Sequence, residues 1–87
     1  MLRLHLPEAG SLKDKRQVVL SLSQRLRTRF GVSVAEIDDL ESWQVATLGL
    51  ATVSSSESVC RHLLDEVSRW VETAGPFLVL ESTQEVR

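Results

Sequence analysis

Three cationic residues, Lys13, Lys15 and Arg16, stand just behind Ser11 at the start of an amphipathic run. The chemistry this arrangement could do is anion binding. The first turn of a helix leaves backbone N–H groups free, and its dipole is positive there. Added to three cations, these suit a phosphate, including an RNA backbone phosphate. A cation in this position otherwise costs about 0.3–1 kcal/mol before screening, so something should offset it. The chain also holds a second candidate for that role. Glu36, Asp38, Asp39 and Glu41 form an unopposed acidic stretch that could neutralise the same cations as surface ion pairs. Both readings stand at this point.

Other reactive side chains offer less. His5 falls on a strand-like segment, His62 on the flank of a helix, and Cys60 beside that helix's apolar stripe, where a small buried thiol is expected. No His, Cys and carboxylate spacing resembles a metal site, so neither a metal nor a cofactor is expected. Asp38 and Asp39 are adjacent hairpin carboxylates, which are normally solvated, and no basic partner in the motif divides acid and base roles between them.

The elements that must position these residues follow from periodicity. Leu2, Leu4 and Leu6 alternate with Arg3 and His5, giving a strand over 1–6 that Pro7 and Gly10 break. Leu12, Val19, Leu22, Leu26 and Phe30 recur at helical spacing over 12–30. Ser11 with Asp14 makes a capping box, and Gly31 a stop. A second strand covers 32–37 and a short hairpin loop 38–42. A third strand, 43–53, has apolar residues on both faces and so reads as central. Ser54 with Glu57 opens a second helix, whose stripe is Val59, Leu63, Val67 and Trp70 and which ends near Thr73 before Gly75-Pro76. Phe77 to Leu80 begins a last strand that turns polar through Glu81, Gln84 and Glu85, as an edge strand should.

The order β-α-β-β-α-β is the split pattern of a ferredoxin-like α+β domain, with two helices on one face of a four-stranded antiparallel sheet. At 87 residues the chain, 1–87, is one domain with a thin core. Its single cysteine excludes an internal disulfide and fits a reduced cytosolic setting. No signal or membrane span is expected. The topology sets the 38–42 loop beside the start of the first helix. Residues 13–29 hold six bases against one acid. On a helical wheel Arg16 and Arg27 flank the core stripe on one side and Arg25 and Arg29 on the other, so no single basic stripe forms. Trp43, Val45, Gly49, Ala51 and Val53 share a parity and would lie on the face away from the helices. That apolar surface reads as a homodimer interface or docking site, unless Arg3, His5 and the last strand screen it. A base-stacking sheet of the RNA-recognition-motif type needs central aromatics that this chain lacks. Acylphosphatases share the fold class, but their glycine-rich phosphate loop and asparagine are missing here.

Ser11-Leu12-Lys13-Asp14-Lys15-Arg16, then Val32-Ser33-Val34-Ala35-Glu36, then Trp43-Gln44 with Ala46-Thr47-Leu48-Gly49, resemble the YlxP-like family of small bacterial proteins. The likeness runs over about residues 2–86, with a late start and Gly31 where asparagine is common. The resemblance implies a ferredoxin-like fold, a bacterial cytoplasmic setting and genes set among translation-initiation and ribosome-maturation factors. It brings no catalytic residue. The resulting expectation is a non-enzymatic accessory factor that binds the ribosome or rRNA through Ser11, Lys13, Lys15 and Arg16. The other reading is a dimeric protein-interaction module without nucleic-acid contact.

Overall fold

The computed structural model describes residues 1–85. Its elements are β1 (Leu2–His5), α1 (Leu12–Phe30), β2 (Ser33–Asp38), β3 (Val45–Ala51), α2 (Glu57–Ala74) and β4 (Leu78–Ser82). The sheet order is β2-β3-β1-β4, with every neighbouring pair antiparallel. This is the ferredoxin-like arrangement, and β3 is central. Alternation places Leu2, Leu4 and Leu6 with Val34, Ala46 and Leu48 against the helices, where they meet Leu22 and Leu26 of α1 and Val67 and Val71 of α2. Leu6 remains tied to the sheet by its N–H, which donates to the Gln44 carbonyl just beyond β1.

Several elements differ locally from the periodic reading. β3 is shorter than 43–53, because β2 pairing runs only from Ala51 to Thr47 and the Ser42 hydroxyl captures the Val45 N–H at the turn. Trp43 therefore precedes the strand and Val53 follows it, 97% exposed. α2 is capped by Ser56 rather than Ser54: the Ser56 hydroxyl accepts from Val59 N–H, while Ser54 Oγ accepts from Ser56 N–H. Val59 is exposed, the apolar contact of α2 starting a turn later at Leu63 and extending to Val71. Cys60 is half-buried rather than buried.

α1 has well-defined ends. The Ser11 hydroxyl accepts from Asp14 N–H at 3.1 Å, and Asp14 Oδ2 accepts from Gly10 N–H at 3.2 Å, one residue before the expected Ser11 amide. At the other end Gly31 adopts φ 65°, a left-handed cap, and donates to the Arg27 carbonyl.

Candidate functional site

The basic first turn divides. Lys15 lies on the core side of α1 and is fully buried, its ammonium 2.8 Å from Glu36 Oε2 and 2.5 Å from the Asp39 carbonyl oxygen, to which it donates. The acidic hairpin and the helix start are neighbours as the topology requires, but one lysine makes the contact. Lys15 is thereby removed from the expected anion site. Ser11 is also committed, its hydroxyl to Asp14 N–H and its carbonyl to Lys15 N–H. Lys13 and Arg16 stay exposed and form no ion pair with any acid among the described residues.

The buried pair sits in a wider network. Asp39 has φ 56°, a left-handed conformation that aspartate tolerates better than most residues, and this turn points its carbonyl at Lys15. Its carboxylate turns the other way, accepting from the Thr47 hydroxyl at 2.5 Å and from Arg3 Nε at 3.3 Å. The Thr47 hydrogen bond, with Arg3 and Lys15 nearby, holds the Asp39 carboxyl below its ordinary value of 3.8 against the upward push of partial burial. Asp38 Oδ1 accepts from the Asp39 N–H, so this carboxylate shapes the loop.

Beyond Lys15, the cations of α1 all reach solvent: Lys13, Arg16, Arg25, Arg27 and Arg29 are exposed. Arg27 crosses to β2 and donates to the Val34 carbonyl at 2.8 Å. Arg25 and Arg29 lean the opposite way onto Trp70 of α2, their guanidinium carbons 5.0 and 5.5 Å from the indole centroid. Arg27 thus lies on one flank of α1 and Arg25 and Arg29 on the other, as the wheel places them. The indole also meets Phe30 edge-on, with ring centroids 5.6 Å apart at 74°. Trp70 was expected as a core residue; its role as a platform for two arginines was not.

On the sheet face away from the helices, Ile37, Leu78 and Leu80 are each more than half exposed. Ile37 lies over Gly49, where an added Cβ would stand 3.0 Å from Ile37 Cγ2. Val45 and Gly49 are half-buried, Ala51 is exposed at the end of β3, and Trp43 is 57% exposed at the turn before it. Arg3 meets Asp39 on this face and partly screens it, as His5 does across from Leu78. Of the five residues expected to form an interface, Val45, Gly49 and Ala51 belong to the β3 surface, whereas Trp43 and Val53 flank the strand.

His62 is exposed and pairs with Glu66 at 2.9 Å, one turn along α2. Among the described residues no group of three or more His, Cys, Asp and Glu side chains is placed to hold a metal ion, and no helix is long and apolar enough to cross a membrane.

Residues 1–84 match the model of a family described as "Protein of unknown function (DUF503)". The chain is also similar to the "Uncharacterized protein YlxP" of Bacillus subtilis (strain 168), 36% identical over 66 residues, which span 76% of this chain and 72% of that protein.

Proposed function

The protein belongs to the DUF503, or YlxP-like, family, and from this premise we propose that it is a non-enzymatic accessory factor that contacts ribosomal RNA in ribosome maturation or translation. The observation that carries the reading is the outer surface of α1. Five exposed cations, Lys13, Arg16, Arg25, Arg27 and Arg29, face one acid on the same helix, Asp14, which is itself bonded to Gly10 N–H. A helix of 19 residues is about 28 Å long, enough to follow several phosphates of a folded RNA. The proposed contact crosses the exposed side of α1 from the Arg27 flank to the Arg25 and Arg29 flank, with Lys13 and Arg16 retained from its first turn. The non-enzymatic reading is supported by how the reactive groups are used: Lys15 holds the Glu36 carboxylate and the Asp39 carbonyl, the Asp39 carboxylate is bonded to Thr47 and Arg3, and Asp38 bonds the loop backbone.

The test is cosedimentation with ribosomes at low and moderate salt, using wild type and a variant with Lys13, Arg16, Arg25 and Arg29 replaced by glutamine. Each lost phosphate contact should flatten the slope of log affinity against log salt by about 0.7–0.9. Wild-type binding that is absent, or that the variant reproduces, overturns the reading.

The open sheet face favours a second reading, a dimeric interaction module. Ile37, Leu78 and Leu80 leave apolar area in water beside Val45 and Gly49, as association surfaces do.

A further inference from the structure

We propose that Arg25, Arg29 and Trp70 form a nucleotide subsite for single-stranded RNA, a proposal that rests on the RNA-binding reading of α1. Arg25 and Arg29 are four residues apart on one helix, a spacing at which like charges repel. They are nevertheless gathered on one indole, 5.0 and 5.5 Å from its centroid, and among the described residues no carboxylate lines the groove beside them. The π face of Trp70 supplies the local attraction, and Arg25 is further anchored by donating to the Ala74 carbonyl at 3.1 Å. Arg29 also lies 5.7 Å from the Phe30 ring, and its guanidinium makes no hydrogen bond or ion pair among the described residues. The shallow open groove they border offers about 360 Å³ and is lined by Ser21, Gln24, Arg25, Thr28, Arg29 and Trp70.

That lining has cations, hydroxyls and an amide, and no anion. A phosphate needs such donors, while a base needs a flat partner, which the guanidinium planes held over the indole provide. The two halves of a nucleotide thus find their partners within one groove. An acidic peptide would use the cations and leave the flat surface idle, so RNA fits the lining better. An open groove on a helix pair also suits a single strand, whose unstacked bases can reach the side chains.

Trp70 is its own reporter once Trp43, the other tryptophan, is replaced by phenylalanine. The Trp43→Phe protein is titrated at low salt with a uridine decamer, inorganic phosphate and a phosphoserine peptide. The expected result is a saturable change in Trp70 emission with the RNA at the lowest concentration, and a Kd raised at least tenfold by Arg25→Gln with Arg29→Gln. Lys13→Gln with Arg16→Gln should weaken binding less and leave the emission change intact. Arg29→Lys, which keeps the charge and removes the plane, should lose part of the emission change while retaining the salt dependence. RNA binding that is silent at Trp70 and unaffected by the arginine pair overturns the subsite, and leaves the α1 reading standing if the Lys13 and Arg16 variant loses affinity. Tighter binding of the phosphopeptide overturns the subsite in favour of a protein partner. No binding of the decamer by any form overturns the subsite, and ribosome cosedimentation then decides the α1 reading on its own.

Discussion

Replacing Lys15 by methionine keeps the length and apolar stem of the side chain and removes its ammonium. In the wild type that ammonium lies 2.8 Å from Glu36 Oε2 and donates to the Asp39 carbonyl. Glu36 Oε2 is buried and has no well-directed hydrogen bond, so its compensation comes from the charge of Lys15. Without it, a carboxylate whose side chain is 17% exposed and a peptide carbonyl both lose their partner. Breaking one side of a buried pair costs about 3–5 kcal/mol. A domain of 87 residues has a total stability of about 4–13 kcal/mol, so the loss is a large share of it.

Urea unfolding followed by circular dichroism measures this directly. With a slope of about 1 kcal/mol per molar, the midpoint should fall by several molar, and a wild type at the weak end of the range would yield an unfolded variant. The double variant Lys15→Met, Glu36→Gln keeps the experiment decisive. With both charges gone the desolvation cost also goes, and the double variant should be more stable than Lys15→Met alone by about 2 kcal/mol or more. A Lys15→Met protein within about 0.5 kcal/mol of wild type, or additive effects in the cycle, would refute the reasoning, since either means that Lys15 reaches water in solution.

Three further outcomes are expected. Asp39→Asn should flatten the acid limb of the stability curve: the folded carboxyl titrates below its ordinary 3.8, so its contribution is complete above that value and is lost as pH falls through the lower folded one. An unchanged acid limb in pH-dependent urea midpoints would count against the Thr47 and Arg3 contacts. Leu22→Ala, at 1% exposure between α1 and the sheet, should cost about 2–5 kcal/mol in the same assay. If the open sheet face self-associates, sedimentation equilibrium should find wild type dimeric at high concentration, and Trp43→Ser and Leu78→Ser, each removing a side chain 57% exposed, monomeric; a monomeric wild type defeats the dimer.

The architecture could be read from sequence because its signals are local and redundant. The β1 leucines, the Ser11 cap and Gly31 each point to the same element boundaries. The spacing of Lys15 places it in the core although its charge type points to the surface. It precedes Val19 by four residues and Leu22 by seven, squarely on the apolar stripe, but its charge placed it with Lys13 and Arg16 at the surface. The cap of α2 is misread for the opposite reason. Ser54, Ser55 and Ser56 are all competent caps, and the packing of Leu63 and Val67, not the cap chemistry, chooses among them. The Arg25, Arg29 and Trp70 cluster joins two helices distant in the chain, so only the wheel flank of the arginines was visible beforehand.

The burial of Lys15 also bears on the proposed contact of α1 with RNA. A chain of formal net charge −2 is repelled, on average, by RNA at long range. Attraction must come from the near field of α1, within the Debye length of about 8 Å at physiological salt. The Lys15 pair helps by fixing the hairpin to the start of the helix, which holds Glu36 and Asp39 behind α1. Arg3 draws the Asp39 carboxylate further toward the open sheet face. The two faces of the domain thus differ in charge more than the total suggests. Association through α1 should therefore be slow to start, sensitive to orientation and steeply weakened by salt, whereas association through the apolar sheet face should vary little with salt. The salt slope of binding accordingly distinguishes the two surfaces without any substitution.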